Sequence, residues 1–531
     1  MTNETHNYTF SLKKGEAAEF TVMQKGLDLA IDVLDPAGKK MKTFDSPNGD
    51  FGPELVSFDA LKTGNYSKNI YSYTEYNPLA DSADANFNKI KQGDYTIQDI
   101  RKLTTDQNKE RKAAALKDKQ QFANWINTNA QPIKSVDAGS ETDDLQLFKA
   151  ILKDVLVVGL GEATHGSSEF FRMKHRMLEF LVKEMGFTSF YIEASMSRCR
   201  YINEYVLYGN GNPDTATAIQ GFWTWRTDEV RDMIGWMRQY NSTVPAEKKV
   251  KFFGYDLQIN DRGWKDLKLF YRKVNPARIA YLDSLQTQFD SASTWSNTPN
   301  RQQEGAGLYK KIHQKCLNVL SDIALNEGQY EYTAGKVLYD ANLMNIKLIV
   351  QEAESYIDYY SDRRDYYMAQ NILYLLNREK PGAKVVVWAH NGHIGKIPSP
   401  TYSSMGSYLD NVLKSKYYAI GFEFYSGSFQ TMNLDSIIKS KNPAVMSVAE
   451  PPLESLPWYF NNTGKGKLFL DFRNTGAEKI TNFLLPVGMH SFGSMYSVKW
   501  PVTSQMQPAM YDGMIYIKKS TAAKNFTKVD L

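Results

Sequence analysis

Two short stretches of this 531-residue chain gather side chains able to do acid–base chemistry. In "VVVWAHNGHIGK", Val385–Lys396, an apolar run breaks into His390 and His393. In "VLVVGLGEATHGSSEFF" a second apolar run breaks into Glu162 and His165. The whole chain has seven histidines, so three of them in two such breaks is a concentration that asks for a reason. A neutral imidazole accepts a proton near pH 7, and a carboxylate beside it stabilises the imidazolium so formed. Glu193 closes the run "FTSFYIEA", and Asp256 sits near the end of the run in "KKVKFFGYDLQ".

Each signal also has a plain structural reading. A histidine after a strand is commonly just hydrogen-bonded, Glu162 would serve as an anion at a helix N-terminus, and Glu193 would pair with Arg198 or Arg200. His175 reads as packed inside a helix. In "FWTWRTDEVRDMIGWMRQYN", Trp225, Met233 and Trp236 recur at near-helical spacing and read as core, whereas Trp223, Arg226 and Glu229 are placed to rim a crevice. No Gly-x-Ser-x-Gly elbow is present, and Cys199 sits in no nucleophile motif, so direct attack by water is preferred to an acyl-enzyme.

What raises these residues above coincidence is the elements that carry them. From about residue 144 the pattern alternates strands with helices, which implies parallel βαβ units. "VLVVGLGE", "FTSFYIEA", "KKVKFFGYDLQ", "AKVVVWAHNGH" and "KYYAIGFEFYSG" are near-continuously apolar, as strands covered on both faces must be. "GKLFLDF" and "GMIYIKK" complete the sheet. "SSEFFRMKHRMLEFLVKEMG" reads as a helix with Ser167 or Ser168 as N-cap and Gly186 as its stop. In a parallel sheet the carboxyl ends lie along one edge, where ligands bind, so Glu162, His165, Glu193, Asp256, His390 and His393 are expected to converge. The region at about 261–378 reads as a helical insertion interrupted by the polar segment "SASTWSNTPNRQQEGAG".

The first ~100 residues differ. "NYTFSLKKGEAAEFTV", "LDLAIDVLDPAGKKM", "ELVSFDALKTGNYSKNIYSY" and "GDYTIQDI" alternate at period two, punctuated by Lys14-Gly15, Asp35-Pro36-Ala37-Gly38, Pro47-Asn48-Gly49 and Thr63-Gly64. This predicts a small antiparallel β-sandwich over 1–103, a helical linker over 104–143 and an α/β domain over 144–531. The fold class is thus α/β, a mostly parallel sheet flanked by helices with a large helical insertion, preceded by an all-β sandwich.

Composition sets the outer bounds. Charged residues are 23% and hydrophobic ones 42%, and a net charge of +4 with no basic block gives nucleic acid no footprint. No apolar run reaches the ~20 residues that span a bilayer. Two cysteines far apart in sequence argue against a disulfide or a cysteine-built zinc site. "MTNETHNYTF" has no basic-then-apolar leader, so the chain as written reads as cytoplasmic, or as exported with its leader already removed.

The ordered motifs "LGEATHGSSEFF", "FYIEASM", "WTWRTDEVRDMIGWMRQYN", "FFGYDLQ", "RRDYYMAQNI" and "VVVWAHNGHIGK" resemble the erythromycin esterase family from about Val155 to at least Gly395, with a fainter continuation. The N-terminal segments resemble the pre-peptidase C-terminal-like β-sandwich. The family resemblance implies a hydrolase of carboxylic esters acting on a small molecule, with a macrolide lactone among the candidates and antibiotic resistance as the role in that case. It implies that His165 activates water, with Glu162, Glu193, His390 and His393 as its catalytic companions. From the residues themselves, no cofactor is expected. The macrolide esterases carry arginine nine places after the motif histidine, where this chain has Lys174. That lysine joins Trp223, Arg226, Glu229 and Asp256 as a substrate-binding candidate. Two other readings use the same residues: a metal-dependent hydrolase, although His-Glu-x-x-His is absent, and a ligand-binding protein without turnover.

Overall fold

A computed structural model describes residues 4–45, 51–72, 93–298, 301–358, 362–398, 402–436, 442–473, 476–498 and 503–526. Its N-terminal strands are β1 (Thr5–Leu12), β2 (Ala17–Lys25), β3 (Leu29–Leu34), β4 (Lys40–Phe44), β5 (Phe51–Asp59), β6 (Gly64–Ser72) and β7 (Asp94–Leu103). They form two antiparallel sheets, ordered β1-β6-β3-β4 and β5-β2-β7. Alternate residues of β2 (Ala18, Phe20, Val22) and β3 (Leu29, Ile31, Val33) meet in one core between the sheets, as period-two patterning requires. The β3–β4 turn is held by Asp35 Oδ1, which accepts from the Ala37 and Lys39 N–H groups at 2.9 Å each. The Pro47-Asn48-Gly49 turn lies outside the described residues.

A single helix, Thr105–Asn129, joins the sandwich to the rest, opened by a capping box between Thr104 and Gln107. Arg111 on this helix pairs with Glu19 and Asp59 of the sandwich, each at 2.9 Å. About three to four turns later Phe122, Trp125 and Ile126 are buried in the core of the α/β part.

That part is built on β8 (Gln131–Pro132), β9 (Val157–Leu160), β10 (Ser189–Ser195), β11 (Lys251–Asp256), β12 (Val385–Trp388), β13 (Tyr417–Asn433), β14 (Ala444–Val448), β15 (Lys467–Asp471), β16 (Val487–His490), β17 (Met495–Tyr496), β18 (Thr503–Met506) and β19 (Gly513–Ser520). The main sheet runs β11-β10-β12-β9-β13-β19-β15-β8, with β14 and β17 added to β13 and β16–β18 a separate hairpin. The six strands from β11 to β19 are mutually parallel, β15 pairs antiparallel to β19, and β8 pairs antiparallel to β15. Alternation sends Val158, Leu160, Phe190 and Trp388 to the face covered by the Ser168–Met185 helix, and Val157, Tyr191, Val385 and Val387 to the opposite face. Both faces are dry, which explains the continuous apolar runs. Ser167 caps the Ser168–Met185 helix and Gly186, at φ 72°, ends it.

Residues 261–377 are largely helical and carry a core of their own, centred on Trp264, Phe270, Phe289 and Tyr309. The polar segment "SASTWSNTPNRQQEGAG" holds the break between two long helices, although each helix runs into it. Most of it is helical, in Ile279–Ser296 and Gln302–Leu325. Ser291 and Thr294 return their hydroxyls to carbonyls one turn back, and Gly305 lets the two helices cross closely, since a Cβ there would stand 2.2 Å from Ser296 Oγ. Among the described residues no helix is long and apolar enough to cross a membrane.

Candidate active site

Strand ends make the site. After β9 the chain passes through Gly161, where a Cβ would lie 2.1 Å from Asn391 Oδ1, so only glycine permits the approach. The loop after β9 is then tied to the loop after β12 by the Asn391 N–H donating to the Glu162 carbonyl at 2.9 Å. The Glu162 side chain is fully buried and accepts three bonds. His165 Nδ1 lies 2.5 Å from its Oε1, while Lys174 Nζ and Trp388 Nε1 donate to its Oε2 at 2.7 and 2.9 Å. An ionised carboxylate only accepts, so His165 carries its proton on Nδ1 and leaves Nε2 unprotonated on the cleft side.

His390 is the reverse tautomer. It caps the short helix after β12, and its Nδ1 accepts from the Gly392 N–H at 3.2 Å, which puts the ring proton on Nε2. That Nε2 is buried without a protein partner, and the ring centroid is 5.3 Å from that of His165. Burial, with the charges of His165 and His393 adding to it, pulls His390 down to about 3, so it is a neutral donor at ordinary pH.

Behind these two rings lies a charged cluster. Arg364 Nη2 donates to Glu193 Oε1 at 2.8 Å and to Asp256 Oδ2 at 2.7 Å. His393 Nδ1 pairs with Asp365 at 2.8 Å and Nε2 with Glu193 at 3.3 Å. Burial opposes the charge on His393, but Asp365 and Glu193 outweigh it and raise the imidazole to about 9. As an imidazolium it donates from both nitrogens, so Arg364 Nη1, 3.3 Å from Nε2, is a neighbour and not a donor to it. Burial would push Glu193 up, yet His393, Arg364 and His165 hold it far below the usual carboxylate range. Glu193 also accepts the His390 N–H at 3.1 Å. It is an anchored anion, with its proton-accepting capacity spent.

The cleft between these groups encloses about 540 Å³, a size that suits a drug-sized molecule. Its opposite wall is the segment Ser491–Met495 after β16, with Leu434 beyond the end of the long strand β13. This wall is stitched to the site's own backbone: the His165 N–H donates to the Gly493 carbonyl at 3.1 Å, and the Phe492 N–H to the Ala163 carbonyl at 2.8 Å.

Of the residues singled out in the sequence, His165, Glu193, Asp256, His390, His393 and Trp223 line this one cleft. Glu162 lies directly beneath His165. Three substrate-binding candidates do not reach the cleft lining. Lys174 is fully buried under Glu162, with Nζ 4.2 Å above the Trp388 ring. Glu229 is buried in the first turn of the Asp228–Thr243 helix, where it accepts from Ser168 Oγ at 2.5 Å. Arg226 precedes that helix's Thr227 N-cap and is carried outside the lining. His175 is packed in its helix, and Cys199 is a buried thiol whose pKa burial pushes up, so neither is poised to react. Sequence reasoning missed Arg364, Asp365, Gln258 and the 491–495 wall. The Arg-Arg-Asp of "RRDYYMAQNI" was the available signal for the first two, because charges at a helix start need partners. Among the described residues no three His, Cys, Asp or Glu side chains are grouped so as to hold a metal ion.

Comparison with known proteins adds an independent line. The erythromycin esterase family model matches residues 182–520, beginning downstream of the Glu162–His165 motif. A putative hydrolase, YbfO, of Bacillus subtilis is 24% identical over 77% of this chain and 93% of its own. An erythromycin esterase type II of Escherichia coli is 25% identical over 76% of this chain and 99% of its own. Among solved structures, one described as a succinoglycan biosynthesis protein superposes with a TM-score of 0.63 at 23% identity, over 77% of this chain and 99% of its own. The erythromycin esterase EreC, in its open conformation, superposes with a TM-score of 0.52 at 15% identity, over 74% of this chain and 96% of its own.

Proposed function

The chain belongs to the erythromycin esterase family of hydrolases, and on that premise we propose that it cleaves carboxylic esters with a water activated by His165. One observation carries the reading: an imidazole pinned through Nδ1 to a buried carboxylate stands 5.3 Å, ring to ring, from a neutral imidazole with an unpartnered N–H. The first is a base and the second a hydrogen-bond donor, and both face one cleft.

In the reaction, His165 Nε2 takes a proton from water as the water oxygen attacks the ester carbonyl carbon. Negative charge moves onto the carbonyl oxygen, and the His390 Nε2–H, held in place before the reaction, is available to receive it. Glu162 stabilises the imidazolium of His165, which then returns its proton to the departing alkoxide. Arg364, His393, Glu193 and Asp256 fix the floor of the cleft and the loop bearing His390. The aromatic flank from Phe222, Trp223 and Trp225 favours a substrate with a broad apolar face. A macrolide lactone has that character, and its cleavage would give an antibiotic-resistance role. Lys174, where macrolide esterases carry arginine, touches the base's carboxylate and not the cleft, so that difference has no direct bearing on substrate choice.

The test is incubation of the protein with macrolides and with simple aryl esters, read by mass spectrometry. Gain of one water, lost in His165→Ala, is the expected result. A bound but unaltered substrate would favour a binding protein, and hydrolysis abolished by chelation and restored by a divalent metal would favour the metal-dependent reading.

A further inference from the structure

Lys174 is a fully buried cation to which the proposed reaction gives no task. Its Nζ donates to Glu162 Oε2 at 2.7 Å, and the other oxygen of the same carboxylate holds His165 Nδ1 at 2.5 Å. The ammonium lies over the Trp388 ring at 4.2 Å, and the same indole donates its N–H to Glu162 Oε2 at 2.9 Å. We infer that Lys174 is a positioning residue that sets the basicity of His165 by neutralising the carboxylate the two share. The inference rests on reading His165 as the general base.

The physical case begins with what Glu162 would do alone. A buried carboxylate hydrogen-bonded to an imidazole favours the imidazolium, by roughly 1–3 pH units for an opposite charge this close. His165 would then rest protonated near neutral pH and be unable to accept a proton from water. A buried ammonium on the far oxygen cancels much of that field and leaves the Nδ1–H bond, and therefore the tautomer and ring orientation, intact. Lys174 thus separates the two effects of Glu162, keeping orientation while limiting basicity. Burial pulls Lys174 itself down to about 8 against the pull of Glu162, so it still carries its charge at neutral pH.

Other groups facing His165 do not substitute for this role. Glu193 at the end of β10 is balanced by Arg364 and His393, His390 is neutral, and Asp256 is paired with Arg364. The 491–495 wall, Ser-Phe-Gly-Ser-Met, brings no charge.

The experiment is an NMR titration of ¹³C-labelled histidines in the full chain, with His165 assigned by loss of its signal in His165→Gln, beside the pH profile of kcat/KM on an aryl ester. Lys174→Gln keeps a donor for Glu162 without the charge. It should raise the His165 midpoint by about one pH unit or more and move the acid limb of kcat/KM by the same amount. Lys174→Arg should keep both at the wild-type value. An unmoved midpoint in Lys174→Gln, or an equal shift in Lys174→Arg, overturns the inference. If Lys174→Gln does not fold, Lys174→Arg decides alone, since it must match wild type. The midpoint is read without turnover: a raised midpoint in a protein whose hydrolysis ignores His165 supports the coupling and overturns only the general-base assignment.

Discussion

Arg364 and Glu193 are joined by a 2.8 Å ion pair although 171 positions separate them in the chain. The pair ties the last helix of the insertion, Arg363–Asn377, to the end of β10, and a second bond from the same nitrogen reaches Asp256 at 2.7 Å. One guanidinium thereby fixes two strand ends against each other. A helical insertion that buried only its own core would have no such hold on the cleft.

Removing that guanidinium leaves buried Asp256 without its cation and Glu193 with His393 alone. Arg364→Met should therefore lower unfolding stability by about 3–5 kcal/mol, read in urea melts. Arg364→Lys should recover only part of this, since a point charge cannot repeat a planar fork. A melt unchanged in Arg364→Met would show that the cluster carries no net stability.

His165→Ala should lower hydrolysis by about 10²–10⁴-fold while leaving the unfolding transition in place, because the ring sits in a loop with one edge towards the cleft. His165→Gln should be nearly as poor. Combining either with Glu162→Gln should cost little more, since an oriented base that is absent needs no orienting carboxylate. Additive losses in steady-state kinetics would place Glu162 in a separate role.

His390→Phe should reduce turnover by about 10²–10³-fold, the usual loss for one oxyanion donor. Because His390 is held down at about 3, the loss should be the same factor at every pH from 5 to 9. A loss that changed with pH across that range would mean His390 titrates during the reaction.

His393 is raised from 6.5 to about 9 in the folded protein, chiefly by Asp365 and Glu193 working against burial. A histidine with a raised folded pKa gives stability that is fully present below its unfolded value and is lost as pH climbs through the folded one. The contribution is therefore complete below about pH 6.5 and gone above about pH 9, and is worth ~3 kcal/mol as an order of magnitude. Urea melts at pH 6 and pH 9.5 should show this loss in the wild type and a smaller one in His393→Gln. Equal losses in both proteins would remove His393 from the linkage.

A chain starting near Gln120 should retain hydrolysis, because it keeps Phe122, Trp125 and Ile126 in the main core while shedding the sandwich. Assay of the folded truncated protein checks this, and a folded but inactive product would give the sandwich a part in the site.

Legibility in the sequence followed physical range. Apolar runs ending in Glu162, Glu193, His390 or His393 could be read locally, because strand burial and strand-end polarity are both written in consecutive residues. Arg364 and Asp365 could not be placed that way, as their partners lie in other strand ends and nothing nearby marks the pairing. Lys174 was misplaced because lysine is ordinarily exposed, and its burial depends on the indole of Trp388, more than two hundred positions away. The 491–495 wall depends on how β16 and β18 pair, a matter of register that short strands leave unspecified. Polar composition marks the helix break near residue 300, whereas the close crossing at Gly305 depends on two helices together and leaves no local mark.

The position of β19 bears on how the molecule is made. It is threaded between β13 and β15 although it is synthesised after both. The sandwich, built from the first hundred residues, can fold while synthesis continues, but the sheet stays open at β13 until residue 513 emerges. During that interval the edge of a long, apolar strand is unpaired, and it is there that the nascent protein has most to gain from a chaperone.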